Sequence, residues 1–246
     1  MTPALILVGA DKGGVGKTTV SRLLLDYLAS RSTPTRAFDS EFPRGTLKRF
    51  HPDQTEVVDL TQTSDQMRII DTLQEAGPKA TIVDVRAGRM SPTLLTLRDI
   101  GFLEAARDRQ YTLCIFHVLG TSISSLEEIA TTAPFVGDAS YFLVKNHIND
   151  TSFFEWEPDT YRSFFETAKS AGEISIPKLN ELAYEQVEVA GVSFSKFIAN
   201  RTPENEPAIY SFVLRGYVRN WVRQVEAELD RVKLLDLISA KRARKT

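Results

Sequence analysis

Only one cysteine, three histidines and three methionines occur among 246 residues. The lone thiol, Cys114, excludes an intrachain disulfide, and its place in the apolar run 113–119 suits a buried structural group. His51, His117 and His147 lack the spacing of a metal site. No apolar run approaches a bilayer span, and the first is too short for a signal-peptide core, so a cytoplasmic protein is expected. Nor does one charge dominate. Thirty Lys and Arg against 32 Asp and Glu leave a formal charge of −2, which implies no global attraction to nucleic acid. Internal repeats and low-complexity linkers are missing too. What is present, 42% hydrophobic and 25% charged, fits a globular chain with a single domain over 1–246.

Residues 12–19 read K-G-G-V-G-K-T-T, between an apolar run at 4–10 and a helical pattern that starts at 17. Gly13, Gly14 and Gly16, with Val15 between them, let a loop fold tightly enough to aim several N–H groups at one anion. The helix N-terminus behind it adds positive potential. Lys17 brings a full charge to the β and γ phosphates, and Thr18, followed by Thr19, offers a hydroxyl to Mg²⁺. This is the pattern of a P-loop for a nucleoside triphosphate. Lys12 is a second lysine in the same loop, and one phosphate chain rarely needs two. The economical explanation is that Lys12 reaches a second nucleotide across a two-fold dimer, which makes dimerisation depend on nucleotide.

Alternating patterns give strands at 4–10, 35–41, 57–60, 80–85, 111–119, 140–145 and 174–176. Helices are expected at 17–31, 64–76, 92–109, 124–132, 159–170, 180–189 and 208–237. Such alternation predicts an α/β fold, a mainly parallel sheet covered on both faces, with ligand loops at the carboxyl ends of the strands. Asp84 ends one of these strands, where a carboxylate can hold Mg²⁺ through water while Thr18 binds it directly. Asn146 follows another, and its amide suits the N6 and N7 edge of adenine.

With its two-lysine loop the chain resembles the ParA/MinD family of deviant Walker ATPases over about residues 4–200. The resemblance implies a P-loop three-layer α/β/α sandwich, ATP with Mg²⁺, an ATP-dependent homodimer with Lys12 acting across the interface, and slow, partner-stimulated hydrolysis. Asp84 and the following V-R-A-G resemble the family's Walker B and switch II, except that Arg86 stands where a proline is usual. Residues 39–45, D-S-E-F-P-R-G, resemble switch I, normally D-x-D-P-Q-G. By that likeness Asp39 orients the attacking water or helps the metal; capping or turn chemistry is its plainer alternative. Glu41 matches the second acidic position only approximately, Phe42 is inserted, and Arg44 replaces the glutamine. The resemblance also places Asn146 at the base and Pro177 in the loop that flanks it, although a plain turn explains Pro177 nearly as well. Asp11 departs from the pattern, because an acid beside phosphate repels it unless it points outward.

Other features stay open. Tyr161, Phe164 and Phe165 suit core packing, whereas Phe153, Phe154 and Trp156, in the irregular stretch 151–156, suit either core or a partner-facing lid. Residues 208–238 form a C-terminal helix and 239–246 a basic tail, whose Lys241, Arg242, Arg244 and Lys245 would add nonspecific, salt-sensitive DNA affinity. Val232, Leu234, Leu235, Leu237 and Ile238 could make an interfacial helix, but Asp236 and the scarcity of aromatics argue for packing on the body and against a membrane. Two functions are carried forward. One is a dimerising ATPase switch in DNA or plasmid partition, cargo positioning or a conjugation-related task, with an unknown protein partner or cargo. The other is an ATP-dependent small-molecule ligase or kinase similar to dethiobiotin synthetase or the cobyrinate amidation enzymes. Lys12 favours the first, while the divergent Arg44 and Arg86 keep the second open.

Overall fold

The computed structural model describes residues 2–75, 77–137, 139–148, 151–166 and 171–239. Seven strands form one parallel sheet: β1 (Ala4–Gly9), β2 (Thr35–Asp39), β3 (Thr55–Val57), β4 (Ala80–Asp84), β5 (Thr112–Leu119), β6 (Ser140–Asn146) and β7 (Gly172–Ile176). Their order is β3-β2-β4-β1-β5-β6-β7. β1 therefore lies centrally, between β4 and β5, and the chain winds outward from it in both directions. That reversal opens a crevice at the carboxyl ends of the strands.

Helices fill the connections: α1 (Lys17–Ser30), α2 (Thr46–Phe50), α3 (Thr63–Thr72), α4 (Met90–Asp99), α5 (Phe102–Arg107), α6 (Ile123–Val136), α7 (Pro158–Tyr161), α8 (Glu181–Ala190), α9 (Phe194–Ile198), α10 (Phe212–Arg231) and α11 (Leu234–Ile238). A π-helical turn, Arg162–Glu166, continues α7. Alternation along β1 splits the core into two layers. Ala4, Ile6 and Val8 join the layer of α1, α8, α9 and α10, whereas Leu5 and Leu7 join that of α3, α4 and α6. Both faces are covered, which is why β1 reads as an unbroken apolar run. The three-layer α/β/α expectation is met, and the sheet is wholly parallel.

Several boundaries differ from the sequence reading for local reasons. β3 lies at Thr55–Val57 rather than 57–60, because β2 offers partners only as far as Asp39. The helix expected at 92–109 breaks at Gly101, whose φ of 75° ends α4 and opens α5. The helix expected over 208–237 is α10 plus α11, divided at Lys233 with φ 55°. The short helices α2 and α9 lie inside stretches without periodicity. Of the expected helix 159–170, residues 167–170 lie outside the described residues, as do 240–246 with their basic cluster. Leu234 and Ile238 are buried in the core, so α11 packs on the body. Phe153 is buried edge-on against His147, Phe154 packs partly on the core, and Trp156 is exposed. Phe165 is buried and stacks on Tyr161.

One buried charge joins four helices. Arg22 of α1 is 1% exposed, lies over the rings of Phe50 and Phe194, and donates to Glu188 of α8 at 2.5 Å. Its Nε and Nη2 have no hydrogen-bond acceptor, so the ring faces and the single carboxylate carry its compensation. Glu188→Ala should destabilise the protein by about 1.5–3 kcal/mol, measured by urea denaturation, because it strands that guanidinium.

Candidate functional site

A cavity of about 790 Å³ opens at the carboxyl edge of the sheet, where β1, β2, β4, β6 and β7 deliver their following loops. Its floor is the loop between β1 and α1. Gly14 and Gly16 have φ of 74° and 91°, values that a side chain would strain, and Gly16 caps α1 with no side-chain acceptor. The first N–H groups of a 14-residue helix thus face the cavity without a protein acceptor on the cap. Lys17 opens that helix. Its ammonium donates to Lys12 O at 3.2 Å, and burial pulls its pKa down against the pull of Asp84, Glu128, Glu41 and Asp11.

Asp84 ends β4 in register with Asp39 on β2 and Val8 on β1. It is 4% exposed, and its Oδ1 has no hydrogen-bond partner. Burial pushes its carboxyl up to about 7; the Thr18 hydroxyl pulls the other way and neighbouring Asp39 adds to the rise. An acid with an empty oxygen, next to a hydroxyl at a phosphate-type loop, is a donor set that fits a hydrated divalent cation. Among the described residues no group of three or more His, Cys, Asp or Glu could hold a metal. An ion here would rely on phosphate and water for its remaining ligands.

Asp39 lines the same cavity, yet its carboxylate is heavily used. Oδ1 accepts the Glu41 N–H at 2.9 Å, and Oδ2 accepts those of Leu47 and Lys48 at 2.6 and 3.2 Å. It thereby closes the loop onto the N-terminus of α2, the capping chemistry weighed as its plainer role. Burial still raises its pKa despite the three donors. A carboxylate has about four acceptor sites, so one remains. Glu41 accepts from the Thr46 hydroxyl within the same loop.

The other expected residues are also placed. Asn146 is 7% exposed and lines the cavity, but its Nδ2 donates to Val15 O at 3.0 Å, so it braces the phosphate loop and leaves Oδ1 as an acceptor. Pro177 lines the cavity, and its carbonyl accepts Trp221 Nε1 at 2.6 Å, which fixes this wall to α10. Gly13, Thr18 and Thr19 line it as well, whereas Val15 is buried beneath the loop. Lys12 is turned toward its own chain, donating to Ser122 Oγ at the N-cap of α6. Asp11 points away from the cavity: its Oδ1 accepts the Met90 and Ser91 N–H groups at 2.9 and 3.3 Å, and the Ser91 hydroxyl donates to Oδ2 at 2.5 Å. It stabilises the N-terminus of α4, while its charge still adds to the negative potential around Lys17.

Sequence reasoning missed Ser122 and Glu128. Glu128 of α6 accepts the Asp11 N–H at 2.9 Å and approaches His117, which in turn meets the Tyr141 hydroxyl at 2.7 Å. A pair of adjacent glutamates in a helix with no other charged residue is the signal that the sequence offers.

No family model and no curated protein sequence matches the chain. Solved structures do. Septum site-determining protein MinD from Pyrococcus horikoshii, complexed with Mg-ADP, aligns with a TM-score of 0.56 over 98% of this chain and 100% of its own, at 15% identity. A ParA family ATPase from Chlorobium tepidum aligns at 0.52 over 90% and 98%, at 12% identity. An ATP complex of Cyanothece McdA aligns at 0.52 over 99% of each chain, at 13% identity. The fold is that of MinD and ParA. Within a MinD/ParA fold the cavity found here lies at the crevice the strand order dictates, and the two-lysine loop occupies its floor.

The buried Asp84 generates a pH effect. A carboxyl that titrates near 7 in the fold and near 3.8 when unfolded keeps its proton longer in the native state. Its contribution is therefore present at low pH and is lost as pH rises from about 4 to 7. Without added metal or nucleotide, Asp84→Asn should flatten the loss of thermal stability across that window. It should also raise the melting temperature at pH 8, by about 2–4 °C for each kcal/mol relieved. Calorimetry against pH checks both.

Proposed function

We propose that the chain is a P-loop ATPase that binds ATP with Mg²⁺ and works as a nucleotide-driven dimerisation switch in the cytoplasm, in partition or positioning of DNA or another cargo. The observation that carries this reading is the glycine loop with an ammonium at each end, facing a buried carboxylate that has an empty oxygen. The nucleotide complexes of MinD from P. horikoshii and McdA from Cyanothece support it by likeness of fold.

Thr18 directly, and Asp84 through water, would hold Mg²⁺. Bound there, the ion neutralises phosphate charge that the acids of the pocket would otherwise repel. Lys17 binds the β and γ phosphates, and the loop N–H groups with the α1 N-terminus take up the remaining charge. Asp39 uses its last acceptor site to orient the attacking water. That water attacks the γ-phosphoryl group, and ADP departs. Asn146 Oδ1 accepts from the adenine amine while its amide nitrogen keeps the loop braced, and Pro177 flanks the base.

Lys12 leaves Ser122 and reaches the γ-phosphate of a second protomer. Two like-charged loops then close over two triphosphates, and hydrolysis loosens them. Slow basal turnover with stimulation by a protein partner, and nonspecific DNA affinity from the basic tail, belong to the same reading. Among the described residues no helix is long and apolar enough to cross a membrane.

Lys17→Ala should weaken ATP–Mg²⁺ binding roughly 10–100-fold in titration calorimetry, the loss expected of one charge-assisted contact. Lys12→Ala should bind ATP within about threefold of wild type yet stay monomeric in light scattering, since its ammonium serves the other protomer's nucleotide. A Lys12→Ala protein that still dimerises with ATP removes the cross-subunit role.

A further inference from the structure

Ser40 sits between the two loops that follow β2 and β4, and its hydroxyl makes bonds that neither strand needs for its own ladder. It is 5% exposed. Its N–H donates to Asp84 O at 3.0 Å, its hydroxyl donates to the same oxygen at 2.9 Å, and its Oγ accepts the Arg86 N–H at 2.7 Å. In a parallel ladder that N–H would go to the carbonyl of the residue whose own N–H reaches Asp84 O, here Ser40 itself. The side chain has taken the place of the main chain. The pairing of β2 with β4 is thus extended one step past its last regular pair, Asp39 with Asp84, while the Ser40 carbonyl is released from the ladder. The chain can then turn into Glu41 and Phe42 without letting go of β4. A hydroxyl is suited to this because it donates and accepts at once.

The two segments joined are those that carry the chemistry. On one side Asp39 aims the Glu41 N–H and caps α2. On the other lie Asp84 and the exposed residues Arg86, Ala87 and Gly88. We propose that Ser40 is a positioning residue that clamps the loop after β2 to the loop after β4, so that both respond to the γ-phosphate as one unit. This rests on the ATPase reading above. Alanine keeps the Ser40 N–H bond to Asp84 O but deletes both hydroxyl bonds and leaves the Arg86 N–H without its acceptor. Threonine keeps the hydroxyl.

The test compares wild type, Ser40→Ala and Ser40→Thr by amide hydrogen exchange and by steady-state kinetics with ATP and Mg²⁺. Without nucleotide, exchange at the Arg86 amide should quicken roughly tenfold in Ser40→Ala and return toward wild type in Ser40→Thr. ATP should alter exchange in residues 41–48 and 86–89 together in wild type and in Ser40→Thr, and in only one of the two segments in Ser40→Ala. Ser40→Ala should lower kcat about tenfold with KM within about twofold, which general destabilisation would not produce. The proposal is overturned if Arg86 exchange in Ser40→Ala equals wild type, if both segments still respond together, or if kcat and KM deteriorate in parallel and Ser40→Thr fails to restore them. A wild-type protein that ignores ATP would defeat the ATPase reading alone, because the Arg86 measurement without nucleotide still decides whether the clamp holds.

Discussion

The site is organised around a buried acid that the protein compensates only in part. Asp84 is carried into the sheet's carboxyl edge by a strand buried on both faces, and one of its oxygens meets no donor. Burying an unpaired carboxylate is costly, and its raised pKa expresses that cost. Asp39 beside it in register makes matters worse, and Glu41, Glu128 and Asp11 add further negative potential around Lys17. A bare polyphosphate entering such a pocket would be repelled by the acids as well as drawn by the lysine. A polyphosphate that arrives with a divalent cation satisfies both at once. In the proposed function the raised pKa of Asp84 and a preference for a metal-bearing anion would have one source.

That reading also explains how the protein spends its other polar groups. Asp39 is held to three N–H donors, Asp11 is turned onto α4, and the Asn146 amide is tied to Val15 O. Each side chain that could disturb the phosphate loop is given structural work in the polypeptide, with one or two acceptor positions left over. Preorganisation of this sort lets a small site keep its geometry through binding, because the groups that touch ligand are fixed by bonds that do not involve it.

Much of this was legible from the residue string. The glycine loop declares itself because it takes a backbone shape few residues can adopt, and Asp84 because an acid stands out at the end of a buried apolar strand. The sheet was readable from apolar runs, since strands covered on both faces admit few polar residues. What escaped was set by tertiary partners. The breaks at Gly101 and Lys233 interrupt apolar patterns that continue across them, so periodicity alone joins the helices on either side. Capping was weighed for Asp39, but the donors it caps, the Leu47 and Lys48 N–H groups eight and nine positions away, depend on α2 folding back. Glu128 reaches Asp11 across 117 residues, a contact no local pattern encodes.

The parked position of Lys12 sharpens the physical problem of the proposed switch. In the isolated protomer its ammonium rests on the Ser122 hydroxyl, at the cap of α6, within reach of its own chain. A neutral hydroxyl is a weak counterpart for an ammonium, and a triphosphate oxygen is a strong one. The parked contact therefore holds Lys12 against its own chain through a neutral partner. In the proposed switch, two such protomers would repel at these loops until nucleotide supplied an anion between them. A full negative charge in place of Ser122 would hold the lysine at home and compete with the neighbour's phosphate. An uncharged cap at this position is what the proposed cross-subunit role of Lys12 requires.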